Sequence, residues 1–230
     1  MNETARIALT ALRANKLRSA LTMLGVAIGV FSVIGVMTAL SVIATSIESG
    51  LSFLGSNLFQ FARYPVINAG GDPEVKYANR RPINLAQATE YKRLMDGTAG
   101  AICLKVFDGA KPASYERKKI QGLTLVGTNE NFLIANSYTL GYGRNLASDD
   151  VDLARSVVVV GTRIEKALFP NQSPVGKTIK INEKPYQIVG VLAEKGSNFG
   201  QSQDDIMIVP ITRYFNDFGW VNRTVNIATQ

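Results

Sequence analysis

The triplet Gly176-Lys177-Thr178 matches the end of a nucleotide-binding P-loop, G-x-x-x-x-G-K-[ST], and could in principle serve phosphate chemistry. That loop needs a glycine five residues before Gly176, where this sequence has Asn171. It also needs a helix after the triplet, because the helix N-terminus holds the phosphates. Here the apolar residues alternate instead, as Ile179 and Ile181 do, which is typical of a β-hairpin. The sequence therefore argues against nucleotide binding at this triplet.

The other residues that could do chemistry are two pairs of adjacent carboxylates and one thiol. Asp149-Asp150 and Asp204-Asp205 could help to hold a divalent cation, but neither pair has further ligands at the spacing of a cation-binding loop. Cys103 lies in the apolar run AICLKVF, which predicts a buried strand residue rather than a nucleophile. The chain contains no histidine. We therefore predict no cofactor, no metal site and no catalytic residues, and we expect that the chain is not an enzyme.

Among the elements that position these residues, an apolar segment near the N-terminus is the most distinct. Residues 19–47 carry no charged side chain and exceed the roughly 20 residues that span a bilayer. Four basic residues precede this segment, against the single acid Glu3: Arg6, Arg13, Lys16 and Arg18. By the positive-inside rule, the N-terminus is cytoplasmic and the rest of the chain lies outside the cytoplasm. A cleaved signal peptide is the alternative, but its apolar region is usually about 7–15 residues long.

The basic residues before this segment have two interpretations. Residues 3–18 can be drawn as an amphipathic helix on the inner membrane surface, in contact with lipid, and equally as the ordinary basic flank of a membrane helix. With four bases and one acid, this segment contributes +3 to the formal charge of +7. In the remainder, the dense basic cluster Arg117-Lys118-Lys119 is typical of a strand end or a turn. Nucleic acid is therefore not an expected partner.

Two glycines within the apolar segment suggest a contact with another helix. Gly25 and Gly29 are four residues apart and form a small-xxx-small pair. In lipid, such a pair lets a second helix approach closely. We therefore predict a helix–helix contact at Gly25 and Gly29.

After the apolar segment, the pattern predicts an α+β layer. Asn84 with Gln87 resembles a helix N-cap with its capping box. The helix that follows could carry four residues inward: Leu85, Tyr91, Leu94 and Met95. Strands are predicted at 101–107 and 113–127. Before the helix, the run NLFQFARYPV predicts a strand. The order strand, helix, strand is typical of an α+β fold.

The second half of the chain is predicted to continue with a short strand, a short helix and a hairpin. Residues 157–160 are four consecutive valines and predict a buried strand. Thr162 with Glu165 resembles a capping box, and the helix it opens must end by Pro170. Residues 196–205 predict a mobile, solvated loop, with the strand IMIVP after it.

These motifs together resemble a known family, the MacB-like ABC transporter permeases, in their N-terminal membrane helix and periplasmic core domain. The resemblance begins with ALRANKLRSALTMLGVAIGVFSVI and continues through LSFLGSNLFQF. It is strongest from GYGRNLASDD to the strand IMIVP and includes LFPNQSPVGKTIKI. Several widely separated motifs agree in the expected order, so the resemblance is specific for the superfamily.

The resemblance implies a fold and a mode of action. The fold is α+β: one N-terminal transmembrane helix followed by a two-part extracytoplasmic domain, with a β-rich subdomain inserted into a membrane-proximal α+β subdomain. Such permeases form homodimers or heterodimers in the inner membrane. Each dimer binds an ABC-type ATPase subunit. They transmit ATP-driven movements to the outside, which is called mechanotransmission, and use them for efflux or export. A periplasmic adaptor or an outer-membrane channel is a further implied partner.

Mapped onto this sequence, the resemblance divides the chain into five segments. They are a cytoplasmic segment (1–18), the transmembrane helix (19–47), the first part of the proximal subdomain (48–125), the inserted subdomain (126–215) and the start of the second proximal part (216–230). A complete permease of this family has three further membrane helices. We therefore expect a truncated permease, a fragment or a split subunit.

The resemblance also suggests where function lies, although each position has a simpler structural explanation. Arg13, Lys16 and Arg18 are expected at the cytoplasmic coupling interface, where they could also serve only to set the topology. A partner-facing loop is expected at four residues, which could also simply connect two strands: Asn198, Phe199, Gly200 and Gln201. Two alternatives stay open: an FtsX-like regulator of an extracytoplasmic hydrolase, and a membrane-anchored binding domain without an ATPase.

Overall fold

The computed structural model describes residues 3, 15–52, 59–64, 73–77, 79–95, 97–98, 100–198, 201–219 and 224–229. For residues 46–52, 73–74, 198 and 201 it describes only the backbone. The chain divides into two compact units, Met1–Gly50 and Leu51–Gln230. The first is dominated by one helix, α1 (Lys16–Ser52). The apolar segment predicted at 19–47 is thus helical, and the helix extends beyond it at both ends.

The second unit is mostly β-structure with short helices between the strands. Its described elements are β1 (Phe59–Phe61), α2 (Pro73–Lys76), α3 (Leu85–Leu94), β2 (Ile102–Tyr115), β3 (Lys118–Thr128), α4 (Phe132–Ala135), β4 (Leu140–Gly143), α5 (Ser148–Asp152), β5 (Val157–Val160), α6 (Thr162–Leu168), β6 (Thr178–Ile181), β7 (Lys184–Leu192), β8 (Ser197–Asn198), β9 (Gln201–Ser202), β10 (Ile206–Pro210), α7 (Ile211–Phe218) and β11 (Asn226–Thr229). The predicted α+β fold class is confirmed.

Nine of these strands form one mixed sheet in the order β1-β11-β2-β3-β10-β5-β7-β4, with β6 joined to both β2 and β7. Strand β10 runs parallel to β3, and β5 runs parallel to β7, whereas the other pairs are antiparallel. Because β6 bridges β7 to the far end of β2, six strands close into a ring: β2, β3, β10, β5, β7 and β6. Strand β11 lies between β1 and β2. The predicted subdomain boundaries stay a prediction.

Strand alternation divides the buried residues between the two faces of this sheet. Val158 and Val160 belong to the larger cluster, whereas Val157 and Val159 belong to a second cluster. Strand β10 alternates in the same way, with Met207 in the larger cluster. All four valines are buried, which confirms the predicted buried strand at 157–160. Each such side chain contributes about 1.5–3 kcal/mol of hydrophobic stabilisation relative to an exposed position.

Helix α3 begins with the predicted capping box. Gln87 N–H donates to Asn84 Oδ1 (2.8 Å), and Asn84 N–H donates to Gln87 Oε1 (3.2 Å). The prediction that Leu94 points inward is wrong, because its side chain is 66% exposed. Leu94 is nine residues after Leu85, which at 3.6 residues per turn places it on the opposite face. Ala88, one turn after Leu85, is buried instead.

The boundaries of the first hairpin differ from the prediction. Strand β2 continues without a break through the predicted gap at 108–112 and ends at Tyr115. The gap is taken up by register irregularities against β3, between Asp108 and Ala113. The chain turns at Glu116, which adopts a positive φ of 51°. The predicted placement of Arg117-Lys118-Lys119 at a turn and strand end is confirmed.

Helix α6 lacks the predicted capping box. Its N-cap residue is Gly161, no side chain caps it, and Thr162 is already helical. A Cβ on residue 161 would lie 2.2 Å from the carbonyl oxygen of Asp204, so glycine is required where β5 passes into α6. Glu165 instead accepts a hydrogen bond from the Tyr142 hydroxyl. A close backbone approach therefore fixes this helix start.

The hairpin predicted after the Gly-Lys-Thr triplet is confirmed. Strands β6 and β7 pair antiparallel, and the chain reverses at Asn182 and Glu183, whose φ angles are 47° and 68°. Two successive positive φ values are typical of the tight turns that join twisted strands. Gly176 lies in the turn before β6, where its N–H donates to Ile188 O (2.8 Å). No helix follows the triplet, so its surroundings are not those of a P-loop.

Candidate functional site

Helix α1 is long and apolar enough to cross a membrane. Its Lys16–Thr45 portion has 30 residues, and an 18-residue stretch of it has a mean hydropathy of 2.4 with none of it buried within the chain. At 1.5 Å per residue this portion is roughly 45 Å long, against about 30 Å for the hydrocarbon core of a bilayer. The Thr22 hydroxyl is satisfied within the helix, since it donates to Arg18 O (3.1 Å) and Ser19 O (3.0 Å). The helix is thus a candidate membrane span.

The two glycines predicted to make a helix contact lie on one face of α1. They are four residues apart, so successive turns place them one above the other. A Cβ built on Gly25 or Gly29 would meet nothing within 4 Å. The two positions therefore form a shallow, open strip on the helix surface.

The residues predicted for cytoplasmic coupling are described only in part. Lys16 and Arg18 lie in the first turn of α1 and are exposed. Arg13 and the rest of the predicted amphipathic segment up to residue 14, apart from Glu3, lie outside the described residues. Two positive charges therefore stand at the N-terminal end of the apolar helix.

The predicted partner-facing loop contains a small antiparallel ladder. Ser197 pairs with Ser202, and Asn198 pairs with Gln201. Phe199 and Gly200 lie outside the described residues. The segment predicted as a mobile, solvated loop over 196–205 thus contains backbone pairing at these four positions. Its mobility and its role in binding a partner stay predictions.

The neighbouring carboxylates Asp204 and Asp205 serve different contacts. Asp204 accepts hydrogen bonds from the N–H groups of Lys195 (2.9 Å) and Gly196 (3.1 Å), which ties the two ends of the loop together. Asp205 pairs with Arg163 on α6. Within the described ranges, no group of three or more metal-ligating side chains comes together. The pair therefore stabilises the loop rather than forming a shared cation site.

The other carboxylate pair is also structural. Asp150 is fully buried and accepts hydrogen bonds from Arg144 (2.5 Å), Arg155 (3.3 Å) and the N–H of Ala147 (3.0 Å). Burial alone would raise the pKa of Asp150, but these donors outweigh it and hold the pKa below its ordinary value. Asp149 is exposed. Asp150 thus anchors the loop before α5.

Cys103 is the buried strand residue that the sequence predicts. Its side chain is fully buried, and burial raises the pKa of the thiol to about 11. Two residues along β2, Lys105 is 4% exposed, and its ammonium donates to Asn136 Oδ1 (3.1 Å). A buried lysine is unusual, because transfer of a charge out of water is costly. Lys105 is the single charged residue in the apolar run AICLKVF. This was the sequence signal that could have pointed to the region around Lys105.

The family of the chain follows from comparison with known proteins. The model for the MacB-like periplasmic core domain matches residues 19–230. The chain belongs to this family. The match covers α1 from Ser19 and the whole second unit, so the MacB-like core domain includes both.

Curated MacB relatives are similar along most of this chain. The macrolide export ATP-binding/permease protein MacB of Bdellovibrio bacteriovorus is 33% identical over 215 residues, which are 90% of this chain and 31% of that protein. The protein of the same name from Marinobacter nauticus is 28% identical over 231 residues, 98% of this chain and 34% of that protein. The chain thus spans about a third of the length of these relatives.

Solved structures share the fold of the MacB-like domain. The periplasmic region of MacB from Actinobacillus actinomycetemcomitans superposes with a TM-score of 0.61 at 20% identity, covering 78% of this chain and 77% of that one. The extracellular domain of the ABC-type transporter YknZ from Gram-positive bacteria gives 0.57 at 21% identity, covering 76% and 83%. At these identities the likeness concerns the fold alone.

Proposed function

We propose that this chain is the non-catalytic permease part of a MacB-like ABC transporter. It couples ATP hydrolysis by a partner ATPase to movement of an extracytoplasmic domain, and the movement serves efflux or export. One observation carries the proposal: the family match begins inside α1 and runs through the mixed sheet, so a candidate membrane span and a MacB-like domain occur in one continuous match.

The proposal assigns ATP hydrolysis to a partner. The Gly176-Lys177-Thr178 triplet precedes a β-hairpin instead of a helix, and the N–H of its first residue is already engaged by the strand carbonyl of Ile188. The curated relatives bear the name ATP-binding/permease protein and are about three times as long as this chain. An ABC-type ATPase subunit is therefore the first partner that we propose.

The proposed orientation follows the charges at the ends of α1. Lys16 and Arg18 stand before the apolar stretch and favour the cytoplasmic side. The MacB-like domain would then be periplasmic, with the chain in the inner membrane. We further propose that the chain forms homodimers or heterodimers through α1. The 197–202 ladder would bind an adaptor or an outer-membrane channel.

Cysteine labelling in intact cells tests this orientation. Leu153 is 65% exposed in the second unit, so Leu153→Cys offers an accessible thiol there, while Cys103 is buried. A membrane-impermeant maleimide should label the Leu153→Cys chain in spheroplasts with the inner membrane intact. Labelling that needs membrane disruption would reverse the proposed topology.

Reconstitution tests the coupling. The neighbouring reading frames are first searched for a P-loop ATPase; this ATPase is combined with the chain in nanodiscs, and co-purification and ATP turnover are measured. The double variant Lys16→Glu and Arg18→Glu should weaken both the co-purification and the ATP turnover. Its matched control, Arg117→Glu with Lys184→Glu, reverses two exposed charges in the second unit and should leave both unchanged. Orientation is verified first by the labelling above, because these bases also set topology.

The permease proposal fails if the wild-type chain neither co-purifies with the ATPase nor alters its turnover. In cells, deletion of the ATPase gene should produce the same export defect as deletion of this chain. Unchanged export after deletion of the ATPase gene would favour an anchored binding domain. Co-purification of a cell-wall hydrolase with the ATPase complex would favour an FtsX-like regulator.

A further inference from the structure

A cavity of about 210 Å³ opens in the second unit between β2, the middle of β3, α4 and the segment that leads into β10. Its apolar wall consists of Phe107, Phe132, Tyr138 and Ile206. Phe132 and Tyr138 stack with ring centroids 5.7 Å apart, and Phe107 is 49% exposed at the mouth. Concave sites with aromatic walls and few polar groups are typical of small-molecule binding sites.

The polar side of this cavity contains a hydrogen-bond acceptor without a donor. Asp205 lines the cavity, and its Oδ1 is buried but finds no hydrogen-bond partner among the described residues. The other carboxylate oxygen is engaged by Arg163. A buried carboxylate oxygen without a donor is costly, so a bound group that donates a hydrogen bond would be stabilised there.

Two amide side chains flank this acceptor. Asn136 accepts from the Lys105 ammonium through Oδ1 and donates to Phe132 O (2.9 Å). Gln203 accepts from the Tyr138 hydroxyl through Oε1 (3.1 Å). The amide NH₂ of Gln203 makes no hydrogen bond within the part of the chain that the structure describes, and it is free to donate to a ligand oxygen.

The charges around the cavity disfavour a strongly charged ligand. Lys105 contacts Asn136, the Lys195 ammonium lies 4.0 Å from the centre of the Tyr138 ring, and Arg163 pairs with Asp205. These three cations would repel an organic ammonium ion. Asp205 lines the cavity and would repel a phosphate or a dicarboxylate. A neutral ligand avoids both costs.

We propose that this cavity binds a neutral, polyhydroxylated ring, namely a single pyranose unit of a carbohydrate. The apolar C–H face of the ring would pack on Phe107, whose side chain lines the cavity and is half exposed. A hydroxyl would donate to Asp205 Oδ1, and a second oxygen would accept from Gln203. The volume is below the roughly 300–1,000 Å³ of sites for drug-sized ligands, which favours one ring over a larger molecule.

Saturation-transfer NMR on the full-length chain in nanodiscs tests the proposal. The probes are the methyl glycosides of glucose, galactose and N-acetylglucosamine, with choline and methyl phosphate as charged comparisons. We expect saturation transfer to the ring protons of at least one glycoside, with a Kd in the millimolar range, and no transfer to choline. No partner ATPase is present in this experiment, so a negative result would leave the proposed transport function unaffected. Failure of the ATPase reconstitution would likewise leave the proposed carbohydrate site unaffected.

Two variants with matched controls locate the binding. Phe107→Ala removes the aromatic wall, and Asp205→Asn removes the carboxylate; each should weaken glycoside binding about tenfold. Phe59→Ala removes a similarly exposed strand phenylalanine, and Asp152→Asn an exposed aspartate outside the cavity lining; both should bind like the wild type. Circular dichroism verifies that all four variants keep the fold.

The proposal is overturned if no glycoside shows transfer, since the cavity then holds only water. It is equally overturned if the Phe107 and Asp205 variants bind as well as their controls. Stronger transfer to choline would assign the cavity to a cation, against the charge argument. Loss of binding in the two cavity variants alone supports the carbohydrate site.

Discussion

Gly127 on β3 lies directly against the ring of Tyr214 on α7. A Cβ built on Gly127 would lie 2.6 Å from Tyr214 Cγ and 2.7 Å from Tyr214 Cβ. Tyr214 is fully buried, and its hydroxyl donates to Asp108 (3.2 Å) on β2. One missing side chain thus allows α7 to pack close to the sheet and to reach the neighbouring strand.

We therefore expect Gly127→Ala to destabilise the second unit. The added methyl overlaps the first atoms of a buried side chain, which cannot move without displacing α7, and such overpacking costs about 1–3 kcal/mol. Urea unfolding of the full chain measures this loss. Gly109→Ala is the matched control, because a Cβ there meets nothing within 4 Å. Equal stability of the two variants would contradict the packing described for Tyr214.

Cys103 should be unreactive towards maleimide in the folded chain. Its thiol is fully buried and its pKa is raised to about 11, so the reactive thiolate is scarce at pH 8. Relative to the ordinary thiol pKa of 9.0, the thiolate fraction at pH 8 falls roughly 100-fold, before any steric protection. Mass spectrometry should show no label on the native chain and one after denaturation. Rapid native labelling, as expected for Leu153→Cys, would show that β2 opens locally.

The sequence predicted the elements that depend on local patterns. Helix α1, the buried valines of β5 and the β6–β7 hairpin each have a hydrophobic periodicity that needs no distant partner. The start of α6 was missed because it depends on Gly161 lying against the Asp204 backbone, 43 positions further along the chain by residue number. Local capping motifs carry no information about such an approach.

The cavity could not be predicted for the same reason. Phe107, Asn136 and Asp205 come from three separate segments and meet only because β10 inserts beside β3 in parallel. Parallel pairing joins segments that are distant in the sequence, and no single-sequence pattern specifies which strands become neighbours. The lone lysine in AICLKVF was a local sign of this region, but it does not identify Asn136 as its partner.

Asp150 should make the stability of the second unit depend on pH in the acid range. Its pKa is lowered in the folded state, so the stabilisation is present above the ordinary carboxyl pKa of 3.8 and is lost as the pH falls through the lower folded value. Asp150→Asn should lower the free energy of unfolding by about 2 kcal/mol near pH 7 and flatten the acid decrease, because Arg144 and Arg155 lose their shared buried acceptor. Asp149→Asn, at the exposed neighbour, should keep the acid decrease of the wild type. Unfolding curves between pH 3 and pH 7 measure both variants.

Gly25 and Gly29 should govern the association of α1 with a second helix. Leucine at position 29 would fill the open strip and keep the backbones apart, which should weaken self-association in lipid about fivefold, corresponding to roughly 1 kcal/mol. Ala27→Leu is the control, because residue 27 lies on the opposite face at 100° per residue. Gly29→Leu raises the helix propensity and Ala27→Leu lowers it only slightly, so a loss of association cannot come from unfolding of α1. Förster transfer between labelled full-length chains in proteoliposomes, measured across a lipid dilution series, gives the two affinities. Equal transfer for Gly29→Leu and Ala27→Leu would show that this face of α1 is not a contact between copies of the chain.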